Sequence, residues 1–195
     1  MKLYLVRHGQ TDWNLQGKLQ GGTDIPLNEN GKNAAIELGK KLKDIHFDKI
    51  YSSPLMRAYE TATLICGKRN IPIIKDERLC EISFGNGEGS SWKDWHKDEN
   101  PYSSFFFNPG NYLPPPNGET LEHVMNRTKD FVQKVIEVQY SQAERVMVVA
   151  HGALNCALMC YLENNTKENF WGKGLPANCQ AIIFEYDGKK WQRQN

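Results

Sequence analysis

Short apolar blocks alternate along this chain with longer stretches in which apolar residues return at helical spacing. Leu3-Tyr4-Leu5-Val6 is an unbroken apolar run, and Arg145–Ala150 (RVMVVA) is a second, rich in β-branched valine. Ile50-Tyr51-Ser52 is a weaker third. Ala181–Tyr186 (AIIFEY) is a fourth, followed by the turn signal Asp187-Gly188. Unbroken runs of this kind suit central strands covered on both faces. Ile73–Lys75 adds one more short strand. Between these blocks, Asn28 is placed to cap a helix running to about Lys43, with Ala35, Leu38 and Leu42 on one face. Ser53-Pro54 predicts an N-cap followed by proline at the first helical position, opening a helix to about Cys66. Leu121, Val124, Thr128, Phe131, Val132, Val135 and Ile136 keep helical spacing. A further helix is predicted from Ala153 to about Leu162.

Strands alternating with helices imply an α/β fold: a three-layer sandwich with a mostly parallel central sheet and helices on both faces. The length of 195 residues fits one domain, so residues 1–195 are read as a single domain. One stretch, residues 84–118, stands apart as a cap-like excursion. It is rich in Gly, Ser, Asn, Pro and aromatic residues, and includes Phe105-Phe106-Phe107 and Pro114-Pro115-Pro116. Loops this long are commonly functional or disordered, and the three phenylalanines are read as a substrate-facing lid. Trp191 and the C-terminal tail carry no readable signal.

Composition narrows the function classes. Apolar residues make up 39% and charged residues 24%, and the net charge is +1, which describes a soluble globular chain without a basic face. Nucleic acid and membrane surfaces are therefore not expected partners. The apolar stretch at the N-terminus is too short for a signal-peptide core, and nothing approaches the ~20 residues needed to span a bilayer. The five cysteines form no C-x-x-C pair, which points to free thiols and a cytoplasmic location. Cys156 and Cys160 share a helix face and are read as core packing. His46, His96 and His123 are read as surface or structural residues.

Ligands of open parallel sheets sit beyond the carboxyl ends of the strands, so the residues that follow each strand carry the chemistry. After the first strand comes Arg7-His8-Gly9. After the second comes Ser52-Ser53-Pro54, with Arg57 in the first turn of the next helix. After the valine-rich strand comes His151-Gly152. Two arginines and two histidines thus converge on one sheet edge, with no metal-binding or acidic cluster beside them. Guanidinium groups and a helix N-terminus suit a doubly charged anion such as phosphate. A cation so early in a helix opposes the helix dipole, so an anion partner explains Arg57 better than solvent does. A histidine among arginines is kept neutral by like charge, as a nucleophilic imidazole requires. Glu81, just after the Ile73–Lys75 strand, is the candidate general acid, and burial is expected to keep it protonated near neutrality.

The ordered motifs resemble those of the histidine phosphatase superfamily, which includes phosphoglycerate mutases and many small phosphatases. Leu5-Val6-Arg7-His8-Gly9-Gln10-Thr11 with Asp12-Trp13-Asn14 looks like its signature, and Ser52-Ser53-Pro54-Leu55-Met56-Arg57-Ala58 like its second motif. Glu81-Ile82 with Phe84-Gly85, Asn117-Gly118-Glu119-Thr120 and Val148-Val149-Ala150-His151-Gly152 complete the set. The resemblance implies a phosphorylated His8. It implies Arg7, Arg57 and His151 around the phosphoryl group with help from Asn14 and Gly152, and Glu81 as proton donor and later base. It implies no metal and no cofactor. Four positions depart from the family pattern: Gln10, Lys18, Cys80, and Gly87 where tryptophan is frequent.

The resemblance covers phosphatases and mutases alike, and the excursion separates them. A mutase must hold a multiply charged intermediate under a basic cap. Residues 84–118 carry Lys93 and Lys97 against Glu88, Asp94, Asp98 and Glu99, and are rich in aromatics. The expectation is therefore a phosphomonoesterase acting on a small phosphate ester. Mutase-type transfer is the alternative, and a non-catalytic phospho-ligand module is disfavoured because nucleophile, arginines and acid are all present.

Overall fold

The computed structural model describes residues 1–195. Its centre is a six-stranded sheet made of β1 (Lys2–Arg7), β2 (Lys49–Ser52), β3 (Ile73–Lys75), β4 (Arg145–Ala150), β5 (Ala181–Tyr186) and β6 (Trp191–Arg193), in the order β3-β2-β4-β1-β5-β6. The first four in that order run parallel, while β5 pairs antiparallel with β1 and β6 antiparallel with β5. The helices are α1 (Asp12–Leu15), α2 (Glu29–Lys41), α3 (Met56–Cys66), α4 (Trp92–Trp95), α5 (Ser104–Phe107), α6 (Leu121–Phe131) and α7 (Gly152–Leu162).

The unbroken apolar runs have the cause the sequence suggested. Side chains alternate along a strand, and here both faces are covered. Tyr4, Val6, Met147 and Val149 point into an apolar cluster with Ala35 of α2 and Ala58, Ala62 and Ile65 of α3. Leu3, Leu5, Val146 and Val148 point the other way, into a larger cluster with Val124 and Phe131 of α6 and Leu154, Ala157 and Leu158 of α7. Strand β1 is therefore buried throughout its middle. No helix is long and apolar enough to cross a membrane.

Three details differ from the sequence reading. Helix α3 begins at Met56, not at Pro54. Ser53 still extends the ladder, its N–H donating to Val149 O at 3.1 Å, and Asp24 reaches in from a distant loop to accept from Met56 N–H at 2.7 Å. The cap comes from tertiary structure, so no local signal marks it. Helix α6 ends at Phe131 and continues as a π-type turn over Val132–Ile136. Strand β6 forms at the C-terminus, where Trp191 stacks on Tyr186 with ring centroids 4.6 Å apart and donates from Nε1 to Glu137 Oε1 at 2.9 Å.

In residues 84–118, Phe84, Trp95, Phe105 and Tyr112 join the larger apolar cluster. A side chain at Gly87 would put its Cβ 2.5 Å from the Trp95 ring, so an indole fills that space from position 95. The three phenylalanines have three fates: Phe105 is buried, Phe106 half-buried, and Phe107 61% exposed.

The loop after β1 lies directly against the first turn of α2. A Cβ on Gly31 would be 2.2 Å from Gln10 O and 2.6 Å from Gln10 N, and one on Gly9 would be 2.5 Å from Gly31 O. Every obstructing atom is backbone, so the chain cannot yield cheaply. Gly31→Ala is expected to cost about 1–3 kcal/mol despite alanine's better helix propensity. Urea unfolding of this variant beside Asn33→Ala checks it, and an unchanged or raised midpoint for Gly31→Ala would contradict the close approach.

Candidate active site

The carboxyl ends of β1 and β4 are level, Arg7 pairing with Ala150, and Ser52 of β2 pairs with Val149. A cleft of about 520 Å³ opens above them. Six of the seven predicted site residues line it: Arg7, His8, Asn14, Arg57, Glu81 and Gly152. His151 lies fully buried behind His8, with the two ring centroids 5.2 Å apart.

His8 is 2% exposed and tied down on several sides. Its N–H donates to Ala150 O at 2.9 Å, continuing the parallel ladder one residue past β1. Its carbonyl accepts from Asn178 Nδ2 at 2.8 Å. Next to it, Gly9 N–H donates to Thr61 Oγ1 at 2.9 Å, and that hydroxyl donates to Arg57 O at 2.6 Å. The ring Nδ1 sits 2.7 Å from Gly9 O. That pairing assigns the ring proton to Nδ1 and leaves the lone pair on Nε2. Burial first, then Arg57 and Arg7, hold the imidazole well below its ordinary 6.5, so it is neutral.

His151 caps α7 from the end of β4, and neither ring nitrogen has a partner within the chain. Burial first, then Arg57, His8, Arg127 and Arg7, push it well below 6.5 as well. Arg57 is fully buried, donating from Nη1 to Thr23 O at 2.8 Å and from Nη2 to Gly21 O at 2.7 Å. That loop is itself held by Glu88, which accepts from Gly22 N at 2.8 Å and Thr23 N at 2.9 Å. Arg7 donates from Nη1 to Pro176 O at 2.8 Å. Both arginines keep a buried Nε without an acceptor. Of seven buried side-chain polar atoms without a partner, four belong to Arg7, Arg57 and His151. Buried polar groups left unpaired cost stability unless a ligand or solvent meets them. A tetrahedral oxyanion offers acceptors for all such N–H groups here.

Asn14 closes a capping box on α1, its Oδ1 accepting from Thr11 N–H at 3.1 Å, and its amide nitrogen makes no hydrogen bond within the chain. Gly152 opens α7, where a Cβ would stand 2.9 Å from Leu175 Cδ1, 3.6 Å from Glu81 Oε2 and 3.7 Å from Arg7 Cζ. Glu81 departs from the expected burial. It is half-buried in a polar cradle, with Oε1 accepting from Ile82 N–H (3.0 Å) and Leu154 N–H (2.9 Å), and Oε2 from Ala153 N–H (3.1 Å). Two of those donors are the free N–H groups at the start of α7. The side chain is thus held as an acceptor at a helix N-terminus.

Several lining residues escaped sequence reasoning. Asn178 belongs to a loop that also supplies Pro176 O to Arg7 and Cys179 N–H to Arg7 O at 2.9 Å. Nothing in Leu175-Pro176-Ala177-Asn178 marks it as more than a turn before a strand. His96, read as a surface or structural residue, packs on Phe106 with ring centroids 4.0 Å apart and lines the cleft with Trp92, Phe106 and Trp171. Lys18 is a further cation on that wall. The five cysteines are all free, and no group of three His, Cys, Asp or Glu residues is arranged to hold a metal ion.

This fold and site define a phosphate-handling α/β protein of the His-Arg type, and comparison with known proteins gives it a family. Residues 3–195 match the histidine phosphatase superfamily (branch 1), and the chain belongs to that superfamily. It is 38% identical over 190 residues to a Bacillus subtilis (strain 168) protein named uncharacterized phosphatase PhoE, covering 96% of this chain and 90% of that one. It is 32% identical over 189 residues to a 2,3-bisphosphoglycerate-dependent phosphoglycerate mutase of Cytophaga hutchinsonii, covering 96% and 88%. The solved structure of Bacillus stearothermophilus YhfR superposes with a TM-score of 0.89 at 34% identity, covering 98% of this chain and 94% of that one.

Two histidines held neutral by the fold make stability depend on pH. Both lie well below 6.5 in the native state, whereas an unfolded chain titrates them near 6.5. Below that pH the unfolded state binds more protons, so stability falls as pH falls. Between pH 7.5 and 5.5 the loss is expected to be about 1.4 kcal/mol for each histidine, ~3 kcal/mol together. Urea unfolding at the two pH values measures it. His8→Gln should remove about half of the difference, and an equal stability at both pH values would refute the neutral, buried pair.

Proposed function

We propose that the chain is a metal-independent phosphomonoesterase that hydrolyses a small phosphate ester through a phosphohistidine on His8. The observation that carries this reading is a neutral imidazole with an unprotonated Nε2, surrounded by the unpaired buried donors of Arg7, Arg57 and His151. Such a site binds the dianionic phosphoryl group and stabilises charge spread over its equatorial oxygens during transfer. Nε2 attacks phosphorus, the P–N bond forms as the P–O ester bond breaks, and the leaving oxygen takes a proton from Glu81. Water then attacks the phosphohistidine, with Glu81 taking the proton back, and phosphate leaves. Arg7, Arg57, His151, Asn14 and the Gly152 end of α7 hold the transferring group throughout. For Glu81 to act, it must turn from Ala153 and Leu154. Phosphoryl oxygens entering at the helix N-terminus compete for those same N–H groups and so favour that turn.

The wall facing this anion site supports hydrolysis over mutase-type transfer. Phe84, Trp92, His96, Phe105 and Phe106 supply the cap's share of the lining, and neither lysine of the cap contributes. Lys97 is paired with Asp94 at 2.6 Å instead. Only Lys18 is available to a second anionic group, whereas a bisphosphorylated intermediate needs more. The higher identity to a relative named a phosphatase than to one named a mutase points the same way.

With chelator present throughout, the wild-type protein is expected to release inorganic phosphate from phosphomonoesters, and His8→Ala to lose at least about a thousandfold in kcat. Arg57→Met is expected to lose ~100- to 1000-fold. Quenching during turnover should trap acid-labile, base-stable phosphate on the protein, absent from His8→Ala. Isomerisation of a phosphoglycerate with little free phosphate would replace this reading by the mutase one, and full loss of activity in chelator would overturn its metal independence.

A further inference from the structure

Arg127, on α6, is outside the cleft, yet three of its hydrogen bonds go to the segment that carries Glu81 and the other two to Glu119. Nη1 donates to Arg78 O at 2.6 Å and Cys80 O at 2.7 Å, and Nη2 to Glu81 O at 3.2 Å. Its Nε and Nη2 also grip Glu119 in a bidentate pair, at 2.8 and 3.0 Å. A guanidinium has five N–H donors, and all are used. Glu119 closes the other side of the clamp: its carboxylate accepts from Ser83 N–H at 3.3 Å, and its own N–H donates to Ser83 O at 2.8 Å. Both side chains are nearly buried, 13% and 12% exposed, so solvent screens the pair little. Arg78 adds an anchor to the same helix through Asp130, at 2.7 Å.

The segment 78–83 is thus bolted to α6, while the Glu81 carboxyl alone reaches across to the start of α7. A rigid backbone under a side chain that must swing is what a repeated proton transfer at a fixed point requires, since small displacements of a reacting group cost rate steeply. A planar guanidinium fork is pre-organised for holding several carbonyls at once, which a lysine cannot reproduce. We infer that Arg127 and Glu119 are positioning residues for Glu81, fixing the backbone from which it delivers and recovers the proton. This rests on the reading of Glu81 as the proton donor.

The test uses two esters that differ in their need for a proton: a phosphate ester of a simple alcohol, whose alkoxide must be protonated, and 2,4-dinitrophenyl phosphate, whose leaving group needs none. Glu81→Gln should lower kcat/KM for the alkyl ester by ~100- to 10,000-fold and for the aryl ester far less. Arg127→Met should shift the alkyl-to-aryl ratio in the same direction by ~10- to 100-fold. Arg127→Lys should recover only part of that shift. Glu119→Gln, which keeps the side chain's size, should shift the ratio in the same sense and decides the matter if Arg127→Met fails to fold, as judged by its thermal midpoint. Loss of both esters in equal proportion in Glu119→Gln and Arg127→Met, with Glu81→Gln still selective, would overturn the positioning role alone. Absence of selectivity in Glu81→Gln would remove Glu81 as donor, and this inference with it.

Discussion

A neutral imidazole and two guanidinium groups share one buried corner of this fold, and the rest of the structure is arranged around that constraint. Like charges repel strongly at low dielectric, and each arginine must also replace the water it gave up. The chain meets the second demand with backbone carbonyls: Gly21 and Thr23 for Arg57, Pro176 for Arg7. Those acceptors come from loops far apart in sequence, and each loop is secured in turn, one by Glu88 and one by the pairing of Cys179 with Arg7. The first demand is met by keeping His8 neutral. Burial first, and then repulsion from Arg57 and Arg7, lower its proton affinity, so the electrostatic cost of the corner is what keeps the imidazole neutral, as the proposed nucleophilic role requires.

The close packing between β1 and α2 lies beside that corner. His8 Nδ1 donates to Gly9 O in the turn after β1, and α2 approaches that turn so near that only glycine fits at 9 and 31. Thr61 ties the same turn to Arg57 O on α3. A shift of either helix would therefore move His8 and Arg57 together, which couples the smaller apolar cluster on that face of the sheet to the geometry of the site.

How much could be read from the sequence divides along physical lines. Strands buried on both faces announce themselves as unbroken apolar runs, and residues at their carboxyl ends can be assigned to one edge, so Arg7, His8, His151 and Gly152 were legible. Arg57 was legible because a cation early in a helix lacks a local reason. What stayed hidden depends on contacts between distant segments. Asp24 capping α3 and Asn178 holding His8 O leave no periodicity and no local motif, and the motif around Glu119 does not show that its partner is Arg127. Strand β6 is too short to show a pattern, and is held by Trp191 against Tyr186. His96 was not marked as a cleft residue because its partner, Phe106, lies ten positions away in a segment without regular spacing.

Glu81 was located correctly but its surroundings were not, and the difference bears on mechanism. The expectation was a buried carboxyl held as an acid. The structure gives it instead the N–H groups of Ala153 and Leu154, the groups an incoming phosphoryl would also seek. Two anions cannot share one helix N-terminus at close range without repulsion. On the proposed function, a phosphoryl held by Arg7, Arg57 and His151 brings more charge and more acceptors than a single carboxyl and so displaces it. On the proposed mechanism, the displaced carboxyl is then free to meet the leaving oxygen. Its acid role is thereby tied to occupancy of the phosphate site. The clamp on residues 78–83 limits the movement to the side chain, so the exchange needs no rearrangement of the fold.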